Sequence, residues 1–244
     1  MRRKSEGVRN ADELVPELVR RVERHDPVKV IETLEPFVRQ ERRDRILSVL
    51  NARLASVAVV FDSPYDPHNG AAVLRSCEAF GVQYLHVIER DRPFLAATSV
   101  ARGSEKWVDI VRHPTVSDTV SRLKSGGYTL VGTHPEGELE PDALTDIPRV
   151  AVVLGSEREG IAEELSAACT HRVRVPMRGF VESLNVSVTA AILLAFAIRG
   201  RPGRSAARRG AEALRAWALL LGRPRPRALR RPRVTGARRV FASF

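Results

Sequence analysis

Three short polar stretches, far apart in a chain of 244 residues, hold the residue types best suited to chemistry. The first runs from Asp62 to Arg75, DSPYDPHNGAAVLR. Asn69 stands before a helical pattern and suits a helix N-cap, an ordinary role that accounts for it adequately. Arg75 lies beside Val73, Leu74, Cys77 and Phe80, and the small residues Gly70, Ala71 and Ala72 leave its guanidinium room to fold back toward the turn. The plainer alternative is a solvated arginine or an Arg75–Glu78 pair, worth little. The second stretch is LGSEREG, Leu154 to Gly160. Its glycines permit close backbone approach, its N–H groups can meet a polar ligand edge, and Glu157 is the first of its two carboxylates. The third is Glu182-Ser183-Leu184-Asn185, where Ser183 and Asn185 both favour a helix start. It serves a ligand site and a well-capped helix equally. His68 has no evident carboxylate partner in sequence and reads as structural.

Much chemistry is excluded. No G-x-G-x-x-G follows a strand pattern and no G-x-x-x-x-G-K-[ST] loop occurs, so dinucleotide and nucleoside triphosphate sites lose their usual support. There is no G-x-S-x-G elbow or convincing Ser/His/Asp set. Cys77 and Cys169 are the two cysteines, each within an amphipathic helical pattern, and read as buried reduced thiols. No Cys/His cluster has metal-ligand spacing, so no metal is expected. The N-terminus lacks an apolar signal region, and no apolar run suits a bilayer span. A cytoplasmic protein without a membrane partner is expected.

The elements that must position the three stretches follow in order. Residues 11–50 read as helical, with Pro27 dividing two pieces and apolar Phe37 and Val38 among those expected on the core. From Val57 strands alternate with helices: strands at 57–61, 84–89, 107–112, 128–133, 149–154 and 171–175, and helices at 71–80, 117–124, 161–168 and 185–198. Residues 90–106 read as irregular, with Gly103 and Ser104 in an exposed loop. The segment 185–198 is apolar nearly all round, as in a helix buried on every side. Alternating elements give an α/β fold, a mostly parallel sheet with helices on both faces. The division is an N-terminal helical extension (1–50), the α/β domain (51–200) and a basic C-terminal extension (201–244) of one helix followed by a disordered Pro/Arg-rich tail. The net charge of +11 is concentrated at the end, where residues 199–244 hold fourteen arginines and one acid, Glu212. That asymmetry fits a polyanion partner, although a chain with only four lysines is arginine-biased throughout.

Together the stretches resemble a family. NGAAVLR (69–75), LGSEREG (154–160) and VPMRGFVESLNVSV (175–188) are similar to the three motifs of the SPOUT class, nearest its TrmH/SpoU RNA ribose 2′-O-methyltransferases. The similarity extends over about residues 55–200 and includes GSEKW at 103–107. Gly70-Ala71 departs modestly, since relatives more often have an apolar residue and then Gly or Ser. The resemblance implies a parallel sheet with a C-terminal trefoil knot, which nothing in periodicity shows, and S-adenosylmethionine (SAM) as cofactor. By position, the cofactor would be lined by Thr133, His134, Leu154, Gly155, Ser156, Glu157, Val175, Pro176, Met177, Ser183, Leu184 and Asn185. Arg75 would activate or position the ribose hydroxyl, Asn69 would orient Arg75 or the ribose, and Glu157, Ser183 and Asn185 would shape the site. The resemblance also implies a homodimer acting on RNA. A helical N-terminus with a basic C-terminus is similar to the enzymes that methylate a D-loop guanosine of tRNA. Ribosomal RNA is the alternative substrate, and a catalytically idle RNA-binding protein of the same fold is the alternative of another class.

Overall fold

The computed structural model describes residues 29, 32, 33, 35–90, 94 and 98–203. The expectations for the remainder of the N-terminal extension and for the basic tail lie outside the described residues. A 3₁₀ turn at Glu35–Phe37 leads to helix α1 (Gln40–Ala52), which rests on the fold through Ile46 and Leu50. Phe37, expected against the core, is 77% exposed: the turn ends before the chain reaches the sheet.

Six strands follow: β1 (Leu54–Asp62), β2 (Val82–Ile88), β3 (Asp109–His113), β4 (Thr129–Thr133), β5 (Val150–Leu154) and β6 (His171–Val173). Their order is β3-β2-β1-β5-β4-β6, and every pairing is parallel. Parallel strands need covered crossovers, and the sequence supplies them as α2 (Pro67–Ala79), α3 (Thr98–Ala101), α4 (Val116–Ser125), a 3₁₀ turn (Pro141–Thr145) and α5 (Glu163–Ala168), while α6 (Val186–Ala197) follows the last strand. Strand alternation divides the core in two. Val57, Val59 and Phe61 of β1 with Val150, Val152 and Leu154 of β5 pack against Leu74 and Cys77 of α2 and Leu193 and Leu194 of α6. Ala58, Val60, Ala151 and Val153 face the other way, onto Val116 and Leu123 of α4 and Leu165 of α5. Both faces are therefore covered, as the continuous apolar strands require. Cys77 and Cys169 are free thiols, and burial raises their pKa to about 12 and about 11.

Two expectations are corrected here. Ser104, read as part of an exposed loop, is buried in a 3₁₀ turn, with Gly103 before it in the left-handed region (φ 89°). Helix α6 is buried only along Ala190, Leu193, Leu194 and Ala197, and Val188 stays 45% exposed. The reason is architectural, since a helix on an outer layer of an open sheet has one face turned away from the sheet, and among the described residues none buries it.

β6 is held on both sides. The N–H of His134, just past β4, donates to the Val173 carbonyl at 3.0 Å. On the other side Leu139 N–H donates to Arg172 O and Arg174 N–H to Leu139 O, each at 3.0 Å. The segment after β4 therefore passes around β6 and closes its outer edge. Gly137 is where it crosses: a Cβ there would lie 2.6 Å from Val173 C and 2.8 Å from Arg174 N. Both obstacles are backbone and cannot turn aside. Gly137→Ala is expected to lower stability by about 1–3 kcal/mol, read by denaturant titration. An unchanged midpoint would contradict this crossing.

Within the sheet, His86 Nδ1 and His113 Nε2 are 2.9 Å apart, and the stacked rings tie β2 to β3. Burial, the neighbouring His113 and Arg122 push the pKa of His86 down to about 4, and burial and Arg122 lower His113 as well. Groups whose folded pKa is depressed refuse protons that the unfolded chain accepts, so stability falls as pH drops. Thermal unfolding is accordingly expected to show stability declining from about pH 6.5 toward pH 4. The double replacement His86→Phe/His113→Phe should flatten that decline, whereas an equally steep curve would contradict the assignment.

Candidate functional site

The chain leaves β1 toward β2 on one side of the sheet and leaves β5 toward β6 on the other, while β1 and β5 are neighbours. Their carboxyl ends therefore mark the topological switch point, where open parallel sheets form crevices for ligands. Asp62 ends β1 and is fully buried there. One of its carboxylate oxygens accepts from Arg90 Nη2 and the other from the Ala162 N–H, each at 2.8 Å. That carboxylate fastens the turns after β1, β2 and β5 to one another.

Above it the first turn is tightly determined. Ser63 is in the left-handed region (φ 45°), and its N–H donates to Ile88 O at 3.0 Å. Pro64 and Pro67 limit the backbone on either side of Tyr65. The N-cap of α2 is Asp66, accepting from His68 N–H at 2.8 Å; that bond lowers the Asp66 pKa. This corrects the reading of Asn69 as the cap. With Pro67 at the first helical position, the preceding residue is the one left to cap. His68, read as lacking a carboxylate, has one two residues away, with Nδ1 3.2 Å from Asp66 Oδ1.

Freed from capping, Asn69 links all three stretches. Its Nδ2 donates to Glu157 Oε1 at 2.8 Å, and its Oδ1 accepts from Asn185 Nδ2 at 3.0 Å. Asn185, the N-cap of α6, accepts on Oδ1 from Ser187 N–H (2.8 Å) and Ser187 Oγ (2.6 Å). Glu157 Oε2 accepts from Tyr65 N–H at 3.1 Å. Two donors on Asn185 Oδ1 force its amide nitrogen toward Asn69 Oδ1, which turns the Asn69 nitrogen toward Glu157. The orientation of both amides is thereby fixed by the network.

The other expected site residues differ in burial and bonding. Thr133 closes β4 and His134 follows, its Nδ1 accepting from Glu136 N–H at 3.0 Å. Leu154 is fully buried, so only its backbone is available. A Cβ on Gly155 would lie 2.2 Å from Gly160 C, so this position accepts only glycine. Ser156 closes its own loop: it exchanges two backbone bonds with Gly160, and its Oγ accepts from Glu159 N–H. Val175 and Leu184 are half-buried, and Pro176 and Met177 exposed. Ser183 is exposed and does not cap α6; among the described residues it makes no hydrogen bond. Arg75 also stays apart. It is exposed and forms no ion pair among the described residues, and Glu78 pairs instead with the buried Arg53. Six positions along α2 separate it from Asn69, about 9 Å of rise and a third of a turn of azimuth.

Sequence reading missed Asp62, Arg90, Tyr65, Arg158 and Ser187. Ser187 has a signal, since a hydroxyl two residues after an N-cap Asn is a natural donor to it. The rest have none, because their partners lie 28 to 100 positions away. Removing the carboxylate by Glu157→Ala is expected to speed amide exchange at Tyr65 and to cost about 1 kcal/mol of stability. Unaltered exchange at Tyr65 would contradict the network.

The sequence profile of the SpoU rRNA Methylase family matches residues 56–195. The chain is similar to the tRNA (guanosine(18)-2′-O)-methyltransferase of Thermus thermophilus, 34% identical over 163 residues, covering 66% of this chain and 84% of that protein. It resembles the structure of the A. aeolicus TrmH/SpoU tRNA modifying enzyme, with a TM-score of 0.64 and 28% identity over 73% of this chain and 95% of that one. The SpoU methyltransferase AviRb from Streptomyces viridochromogenes in complex with the cofactor AdoMet gives a TM-score of 0.51 at 27% identity, covering 65% and 63%. The profile spans the strands, the switch point and all three linked stretches, and on that ground the chain belongs to the SpoU methylase family.

Proposed function

We propose that the protein is a SAM-dependent methyltransferase that methylates a ribose 2′-hydroxyl of RNA, with a tRNA D-loop guanosine as its target. The observation that carries the reading is the joining of Asn69, Glu157 and Asn185, one from each motif, in a single hydrogen-bonded line. The cofactor, when bound, supplies an electrophilic methyl on a sulfonium. The chain offers a fitting cradle at the ends of β5, β4 and β6: backbone groups at 133–134 and 154–157, and the apolar edges of Val175, Met177 and Leu184. Gly155, whose missing Cβ permits the tight Ser156–Gly160 turn, keeps that backbone close to the sheet. By their place in the third motif, Ser183 and Asn185 would complete the cradle.

Within this reading the network holds the Asn69 turn, and hence the base of α2, at a fixed distance from the cradle. An arginine guanidinium is always charged, so Arg75 serves by fixing the ribose or its phosphate rather than by carrying away the proton. Its separation from the line in one subunit supports a site completed by a second copy of the chain. Further support comes from the exposed Met177, Phe180, Val181 and Val188, beside the cradle and on the open side of α6. The passage of the 134–140 segment around β6 supports the trefoil knot of the family. The target in tRNA is supported by the relative from Thermus thermophilus. The twelve arginines in residues 202–244 would contact phosphates, making binding strongly salt-dependent. Such a protein works in the cytoplasm. Among the described residues no helix is long and apolar enough to cross a membrane.

The test is transfer from labelled SAM to bulk tRNA and to ribosomal RNA, followed by mapping of the modified nucleotide. One 2′-O-methylated guanosine in tRNA is expected; methyl found only in ribosomal RNA would favour that substrate, and SAM binding without turnover on any RNA would favour the idle binder. Arg75→Ala is expected to lower kcat about 100-fold with SAM affinity unchanged. Mixing Arg75→Ala with Asn185→Ala protein should restore activity through mixed dimers, up to about a quarter of the wild-type level. No restoration in proven mixed dimers would contradict the shared site.

A further inference from the structure

We infer that Tyr65, with the guanidinium of Arg158 lying on its ring, is a stacking platform for an unstacked RNA base beside the reacting ribose. The inference rests on the reading of the protein as an RNA methyltransferase and adds to it a recognition element built on Tyr65, which lies outside the three motifs, and Arg158 of the second motif. Arg158 Cζ is 3.5 Å from the Tyr65 ring centroid, the separation of stacked planes. Tyr65 is 38% exposed. Its backbone is held by Ser63 in the left-handed region, by the Asp66 cap, and by the N–H bond from Tyr65 itself to Glu157. A side chain presented from fixed backbone loses little freedom on binding.

The position selects the partner. Tyr65 donates to the carboxylate that receives Asn69, and Arg158 is the residue next to that carboxylate in the chain. The stack therefore stands at the rim of the site, one residue from the line joining the motifs. Single-stranded RNA is read by splaying bases onto aromatic rings and onto arginine planes. Here both surfaces are present in one pair, and the positive charge suits a polyanion. Holding its own loop does not require the pair, because Glu157 bonded to Tyr65 and the Ser156–Gly160 bridge already do so.

The experiment measures steady-state kinetics with an unmodified tRNA transcript and SAM for wild type, Tyr65→Phe, Tyr65→Leu, Tyr65→Ala and Arg158→Ala. Dimer mass and SAM affinity are recorded for each. Tyr65→Ala is expected to raise KM for RNA about 10- to 100-fold while kcat and SAM affinity stay within about threefold. Tyr65→Phe, which keeps the π face, should stay nearer wild type than Tyr65→Leu, which keeps bulk without one and should resemble the alanine variant. Arg158→Ala, on an exposed loop, should raise KM by a smaller factor. A fluorescent purine analogue at or beside the target nucleotide should be quenched on binding to wild type and Tyr65→Phe, and remain bright with Tyr65→Ala. The inference is overturned if Tyr65→Ala keeps the wild-type KM, if leucine replaces tyrosine as well as phenylalanine does, or if SAM affinity or dimer mass falls as KM rises. If wild type transfers methyl to no RNA, the proposed function fails and takes this inference with it. Normal wild-type transfer with an unaffected Tyr65→Ala overturns this inference alone.

Discussion

The Asn69 side chain is the link on which the arrangement of the site depends. It is a short amide with one donor end and one acceptor end, and each end is bound to a different distant segment. Among the described residues the three turns are joined to one another by this line and not by a direct ion pair, while the Asp62–Arg90 pair lies beneath them. The two hydrogens arriving at Asn185 Oδ1 set the sense of the line, and Glu157 receives it at the far end. A directional line of this kind is more selective than an ion pair, because reversing either amide would place donors against donors or acceptors against acceptors.

The sheet makes that link possible. Parallel strands deliver all their carboxyl ends to one edge, and the order of β1 and β5 places two departing turns side by side. Asp62 then fixes the floor beneath them. Helix α6 carries the third turn at its start and is fastened at its finish. There Arg201 donates to the carbonyls of Leu144, Ile147, Pro148 and Ala197, and Arg199 reaches Asp142. Gly203 then passes directly against the Asn51 carbonyl of α1, with no room for a side chain. The helix that begins at the site is thus anchored to the segment between β4 and β5 about 18 Å away along its axis.

Much of this was legible in the sequence, and for definable reasons. Apolar runs such as 149–154 cannot be anything but covered strands once helical patterns alternate with them, so the α/β class followed. Asn69, Glu157 and Asn185 are polar residues at strand-to-helix turns, but it was the resemblance to the family's three motifs, not the residue types, that assigned them to one site. What failed were inferences that needed a partner. Asn69 and Asp66 can both cap a helix, and only the three-dimensional need at Glu157 and Asn185 explains why the more obvious one does not. Helix α6 looked buried on all sides, because composition records hydrophobicity and not which neighbour supplies the cover. The burial of Ser104 and the wrapping of residues 134–140 around β6 likewise have no local signature, since a strand's sequence does not say what crosses it.

The most direct test of this picture is a double-mutant cycle at Asn69 and Asn185, using Asn69→Ala, Asn185→Ala and the pair, with methyl transfer to tRNA as the readout. If the two amides act through one bond, the losses in kcat/KM should be strongly non-additive, with a coupling of about 1–3 kcal/mol. Additive losses, each residue acting as though the other were absent, would contradict the claim that the turns converge on a single site.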